Sequence, residues 1–374
     1  MLKNYFVRVS LALLMPAIFL VTMTPSVGAA AERKVITLRC GAGQPYAQGF
    51  QFIMSLEDYF CRELEKRVLE KTKNYQVKCK GYYGGSVAKL GEVLESIEAG
   101  MLDMGMVTNC FELSKLGLTN FTLWIPFTTD DPAKVIRATM KTFGHFPYFD
   151  KLFARYNQRR IGNGFWSQTS YQLITDFPLR TLEDLKGKKI ANGNPTLKWL
   201  KAWGCTSVKL PYPEAYNSIS TGVIDGYSMP ANIAMSLKIY EVAPYFTKVD
   251  SGANIVGILT MNTNTWNRLP KEVQKIVEEV ATDWSWDVYK RNKAQNKKAL
   301  EIMKKYGTKI YTLPEEERRR WAKVLSEKRI AAEEVASCSA PDSLANKVAH
   351  YYVKTLQKDE GVKFLVPPNL DPLK

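Results

Sequence analysis

Two rhythms of apolar residues alternate along the first two thirds of the chain, short β-type runs and stretches at helical spacing. VITLRC is followed by QGFQFIMSLEDYFCRELEKRVLEK, in which Phe50, Ile53, Phe60, Leu64 and Val68 recur on one helical face. YQVKCKGYY, the helical VAKLGEVLESIEAG and the run LDMGMVT continue the pattern. A second array opens near residue 160 with RRIGNGFWSQ, SYQLIT, the turn and helix FPLRTLEDLKG, the strand KKIANG, the helix NPTLKWLKAWG, the strand SVKLPY, the helix PEAYNSISTG and VIDGYSMP. Strand and helix alternating in this way predict parallel sheet flanked by helices, and two arrays predict two α/β lobes.

From Pro270 to Tyr306 the pattern changes. PKEVQKIVEEVATDWSWDVYKRNKAQNKKALEIMKKY carries no internal Gly or Pro, and Val273, Ile276, Val277, Val280, Trp284 and Val288 form one stripe. At the helical rise such a segment reaches roughly 50 Å, more than one lobe's diameter, so it is expected to tie the lobes together. The stripe follows a period of 3.6 and not a strict heptad, which argues against a coiled coil. The end LVPPNLDPLK reads as an extended or frayed tail.

Length fits this division, since 374 residues exceed one comfortable core. The first 31 residues have two positive charges, an apolar run broken by Pro16 and a small-residue ending VGAAA, the layout of a secretory signal. The mature protein is therefore expected in the periplasm, and in an oxidising compartment the six cysteines become candidates for disulfides or buried thiols. None lies in a C-x-x-C pair or beside a histidine, which argues against zinc. Cys40 and Cys79 each end a predicted strand, and if those strands are neighbours a bridge between them is the best expectation. The net charge of +15, or +13 without Lys3 and Arg8, is spread along helices with acidic residues interleaved, the pattern of a solvated face and not of a nucleic-acid site.

Catalytic patterns are weak. His145 and His350, the only histidines, sit in no ligand spacing. CGAGQPYAQG follows a strand, but Tyr46 stands where a dinucleotide fingerprint needs its third glycine. Gly41 and Gly43 are then read as clearance for a ligand at the strand's carboxyl end. Asp103 and Asp225, in GMLDMG and GVIDGY, read as turn residues fixing strand starts. Trp166, Tyr171, Tyr212, Tyr216 and Tyr227 fall at strand ends or the loops after them and suggest an aromatic-walled cleft. KGKKIANGNP raises the question of an anion, with lysines before a turn that opens a helix.

GSVAKLGEVLESIEAGMLDMGMV, DFPLRTLEDLKGKKIA, VKLPYPEAYNSISTGVIDGYSMP and WNRLPKEVQKIVEEVA together resemble the extracytoplasmic solute-binding proteins of tripartite ATP-independent periplasmic (TRAP) transporters, in order over roughly residues 34 to 340. The resemblance implies a two-lobed fold like that of type II periplasmic binding proteins, with a long helix lying across both lobes. It implies lobe I at 32–168 with 255–294, lobe II at 169–254 with 295–345, and a tail at 346–374. It further implies a small-molecule ligand enclosed between the lobes, delivery to TRAP membrane permease subunits, no cofactor and no catalysis, in a monomer or a dimer. An exported enzyme on the same lobes, or a ligand-sensing interaction protein, is the alternative.

Carried over by position, the family's carboxylate-clamping arginine falls on Ala191, a second arginine on Tyr171, the aromatic over the ligand on Tyr212 and an asparagine on Met229. A polar position falls on Thr108 or Asn109, and the glycine-lined end of the first strand on Gly43 and Gln44. A bidentate guanidinium is well suited to a carboxylate. Without one, either the ligand is larger, flatter or neutral and bound by Trp166, Tyr171, Tyr212 and Tyr227, or an acid is held by Lys198 and the amides opening the NPTLKWL helix.

Overall fold

A computed structural model describes residues 32–371 apart from 194, 195, 339 and 341. The expected signal segment, residues 1–31, lies outside the described residues, and no helix among those described is long and apolar enough to cross a membrane. Among the described residues there are eleven strands: β1 (Lys34–Gly41), β2 (Tyr75–Tyr82), β3 (Met104–Val107), β4 (Gln158–Gln168), β5 (Gln172–Thr175), β6 (Lys189–Asn192), β7 (Thr206–Lys209), β8 (Gly226–Met229), β9 (Tyr245–Lys248), β10 (Asn254–Asn262) and β11 (Lys309–Thr312).

They form two sheets, one ordered β2-β1-β3-β10-β4 and the other β11-β9-β5-β8-β6-β7. Each is the floor of one lobe. The sheets are not wholly parallel, as the alternation of strand and helix predicts. β10 runs antiparallel to β3 and β4, and β5 antiparallel to β8 and β9. The reason is connectivity: β5 and β10 are the strands that directly follow a strand of the other sheet, β4 and β9, so each enters its sheet from the opposite end. β10 sits between two strands and is buried along all nine residues, which its run NIVGILTMN makes affordable.

The long helix spans Lys271–Lys305. Val273, Ile276, Val277, Val280, Trp284 and Val288 are buried in the core of the first lobe, whereas Ala299 and Met303 are buried in the core of the second. One stripe of apolar residues therefore seats a single helix on both lobes.

Two expectations are corrected. The segment from 346 is not a tail. The helix Asp342–Lys358 packs into the first lobe, where Tyr352 meets Phe121 with ring centres 5.0 Å apart and Leu370 is also buried. Its apolar residues supply a face that the short helices around Phe121 leave uncovered. Cys40 and Cys79 do lie on adjacent parallel strands, but Cys79 is in register with Leu38 and Cys40 with Gly81, and both remain thiols. The stagger of two residues separates their backbones along the ladder.

Candidate functional site

The carboxyl ends of β1, β3, β6 and β8 with the turns after them, and the amino end of β5, face the gap between the lobes. On the first lobe, β1 leads into Gly43 and Gln44 and β3 into Thr108 and Asn109. Gln44 Nε2 donates to Thr108 Oγ1 at 2.8 Å, with both residues buried. Asn109 Nδ2 donates to the Thr119 carbonyl at 3.0 Å. That bond fixes the amide's orientation, and Asn109 Oδ1 is left buried with no partner. Gly43 has a packing reason to be glycine, since a Cβ there would stand 2.5 Å from the Leu90 amide nitrogen. Trp166, at the end of β4, stacks on Phe52 with ring centres 3.4 Å apart, and its Nε1 is buried without a partner.

The second lobe presents phenols. Tyr171 and Tyr227 are buried and Tyr212 is half-buried. Tyr212 and Tyr227 have ring centres 5.6 Å apart, and the Tyr227 hydroxyl donates to the Leu210 carbonyl. The Tyr171 hydroxyl lies against that of Tyr212, with Cys110 from the first lobe beside both. Burial pushes all three phenols well above their ordinary range, and the Cys110 thiol up to about 12, so this wall is neutral at any physiological pH. Tyr216 is not part of it: it bonds Glu241 at 3.1 Å on the exposed surface.

Ala191 and Met229 are both wholly buried, packed in the same core cluster as Tyr227. In register, Ala191 stands beside Tyr227 on β8. Two residues on, Gly193 reaches the gap between lobes, where a Cβ would lie 3.8 Å from Phe111 and 3.9 Å from the Tyr227 hydroxyl. Lys198 is exposed and pairs with Glu334 at 2.8 Å. The helix behind it runs only from Leu197 to Ala202, and residues 194 and 195 of the expected anion turn lie outside the described residues. Lys188 lies over the Phe177 ring at 4.5 Å and 3.9 Å from Asp225, and Asp225 accepts from the Lys189 amide at 2.7 Å. Asp103 holds Arg39 and Thr265, each at 2.9 Å. Both aspartates thus act as strand-fixing residues.

Two features escape a sequence reading. Asn232 donates from Nδ2 to the Gly49 carbonyl of the other lobe at 3.1 Å, which leaves its Oδ1 buried and unpartnered. Gly49 must be glycine, because a Cβ would fall 2.0 Å from Ser236 Oγ, so the lobes meet closely there. The only hint in the sequence is that Asn232 stands two residues beyond Pro230 in the DGYSMP element. The second feature is a cavity of about 410 Å³ bounded by Cys110, Asn120 and Trp124 from the first lobe, Leu197 and Lys198 from the second, and Glu334 from the helix Ile330–Ala336. Of the residues nominated from sequence, Lys198 alone lines it, because the other contributors come from helices without a motif.

The model of the bacterial extracellular solute-binding proteins of family 7 matches residues 57–333. The C4-dicarboxylate-binding periplasmic protein DctP of Rhodobacter capsulatus is 26% identical over 289 residues, covering 74% of this chain and 84% of the relative. Among solved structures, a TRAP periplasmic solute-binding protein of Desulfovibrio salexigens superimposes with a TM-score of 0.71 at 20% identity, covering 86% of this chain and 97% of that one. Another from the same organism, with bound orotic acid, gives 0.70 at 21% identity, covering 86% and 99%. The chain belongs to the bacterial extracellular solute-binding proteins of family 7, the receptors that take up small organic ligands for TRAP transporters.

Proposed function

We propose that this receptor captures a larger, flatter or uncharged organic molecule carrying hydrogen-bond donors, instead of a simple small dicarboxylate, and hands it to a TRAP permease without catalysing its conversion. The lobes are taken as 32–168 with 255–294 and as 169–254 with 295–345, and the ligand as held between Gln44, Thr108, Asn109 and Trp166 on one side and Tyr171, Tyr212 and Tyr227 on the other. A monomer is the working state.

The observation that carries this reading is the charge of the walls. The position aligned with the family's arginine is a buried alanine against Tyr227, the phenols are held neutral by burial, and the cavity's cation, Lys198, is already paired with Glu334. A carboxylate placed there would give up its hydration, a cost of several kcal/mol per ion, for no counter-charge. The unpartnered Asn109 and Asn232 oxygens are acceptors, which attract N–H or O–H groups and repel carboxylates. Relatives such as the Rhodobacter capsulatus protein are named for C4-dicarboxylates, so the difference would lie in the pocket and not in the fold.

The test is thermal shift of the exported protein against a panel of metabolites, together with mass spectrometry of whatever co-purifies. Mass action requires the true ligand to raise the midpoint. A shift by succinate or malate at micromolar concentration, equal to that of the best neutral compound, would sink the reading.

A further inference from the structure

Three cysteines that are far apart in the sequence converge beneath the loop that carries Gly43 and Gln44. Cys40 is the last residue but one of β1, Cys79 lies on β2, and Cys61 comes from the helical segment Gln51–Lys71, in the same core cluster as Leu38 and Val77 of those strands; their three Sγ atoms all lie within 4.8 Å of one another. Cys40 and Cys61 are almost wholly buried and Cys79 half-buried. None of the three is bridged. The helix that carries Cys61 is not regular: a π-helical turn occupies Leu56–Cys61. Such widened turns are costly within an α-helix and concentrate at functional positions, and this one ends on the third sulfur.

We propose that Cys40, Cys61 and Cys79 form a binding site for a thiophilic closed-shell metal ion, with copper(I) as the favoured occupant. Metal–sulfur bonds of about 2.3 Å in a trigonal arrangement place the sulfurs about 4 Å apart, inside the spacing these three already have. Soft thiolates select copper(I) or zinc over harder cations. The neighbouring oxygens are engaged elsewhere: Glu65 Oε1 accepts from the Cys79 amide at 2.7 Å, and Glu57 Oε2 accepts from Tyr83 at 2.8 Å. Zinc, which takes a fourth ligand, therefore fits less well than a three-coordinate ion. The sequence hides the site because its ligands come from three separate elements and not from a paired motif. A bound ion would staple the helix to the sheet edge directly below the cleft loop.

The experiment uses the full exported chain, reduced and then freed of reductant under anaerobic conditions. It is titrated with copper(I) against a chromophoric competitor, with zinc in parallel and the sulfur-to-metal ultraviolet band as readout. One equivalent of copper(I) is expected to bind and to raise the thermal midpoint. Cys79→Ser, at the half-buried position, is expected to weaken binding at least a hundredfold, and Cys205→Ser to leave it unchanged. Should Cys79→Ser be misfolded by circular dichroism, alkylation protection decides the matter, since bound metal must shield Cys40, Cys61 and Cys79 together. The proposal fails if no stoichiometric ion binds, if zinc outcompetes copper(I), or if peptide mapping of the freshly exported protein shows two of the three sulfurs joined as a disulfide.

Discussion

The two walls of the proposed site solve opposite problems. The first-lobe wall is polar, and its members are incompletely satisfied: Asn109 and Trp166 each keep a buried polar atom without a partner. The second-lobe wall is aromatic and closed on itself, with the Tyr227 hydroxyl spent on the Leu210 carbonyl and the Tyr171 hydroxyl lying against Tyr212. A buried polar atom without a partner costs roughly 1–3 kcal/mol, so the first wall gains most from a ligand that supplies the missing bonds. The second wall offers area and shape. Under the proposed function, direction-dependent recognition falls to one lobe and apolar contact to the other.

The strongest way to break that division is to put a cation into the second wall. Ala191→Arg inserts a guanidinium where the structure has no exposed surface and Tyr227 already fills the space beside it. Overpacking costs about 1–3 kcal/mol and an unpaired buried charge several more. The expected result is a lowered melting midpoint and loss of native-ligand affinity by at least about a hundredfold, at 1.4 kcal/mol per decade, read by calorimetry. Combining it with Tyr227→Ala makes room and is expected to confer measurable affinity for a simple carboxylate. Unchanged binding in the single variant would mean that the ligand does not sit near β6.

A smaller effect is expected where the walls touch. Asn232 joins the second lobe to Gly49 of the first through one hydrogen bond and retains one free acceptor. Asn232→Ala removes both, and is expected to weaken ligand binding about tenfold while leaving the unliganded midpoint within a degree or two. If affinity holds while the unliganded protein melts much earlier, the contact serves the fold alone.

The fold was more legible than the site, for a physical reason. Core stripes such as Val273 to Val288 repeat, and repetition shows in a sequence even when single residues do not. The resemblance through LDM, DLKG and IDG added the order of the elements. The antiparallel strands β5 and β10 were not visible, because strand direction depends on which lobe the chain has just left. Nor was the docking of Tyr352 on Phe121, since an amphipathic helix does not announce its partner. Gln44, Thr108, Tyr171, Tyr212 and Tyr227 are proposed as ligand contacts by position, whereas Asn232 and most residues around the cavity stand in no motif that a sequence reading could use. Those groups come together only when the lobes do. Lys198 shows the same limit: its charge is plain in the sequence, while its partner Glu334 is 136 positions away.

A pH effect sharpens the contrast from the polar side. Glu112 follows Asn109 on the first lobe, and burial pushes its carboxyl up to about 7, with Lys115 standing 3.8 Å away. A raised folded-state value means that the native protein holds this proton more firmly than the unfolded chain does. Its contribution to stability is therefore complete below about 4.5, the ordinary value, and is lost as the pH rises through about 7. Glu112→Gln is expected to flatten the fall in melting midpoint between pH 5 and 8, and to be the more stable protein at the upper end. Parallel curves for the two proteins would show that Lys115 compensates the buried charge.

The smallest effect is expected at the most conspicuous charge. Lys198→Met removes the one cation lining the cavity among the described residues, and under the anion reading it should abolish binding. The geometry argues otherwise. The ammonium is exposed and already meets Glu334 at 2.8 Å, and exposed pairs of this kind contribute about 0–1 kcal/mol. A ligand would have to displace that carboxylate and leave it uncompensated at the cavity edge, which cancels much of the gain. Affinity for the native ligand is therefore expected to stay within about twofold, and Lys198→Met with Glu334→Gln together to match the wild type as closely, since the pair is removed whole. Calorimetry on the two variants decides it. A loss of a hundredfold in the single variant, restored by no neutral change at Glu334, would place a ligand carboxylate on Lys198 and return this receptor to the organic acids.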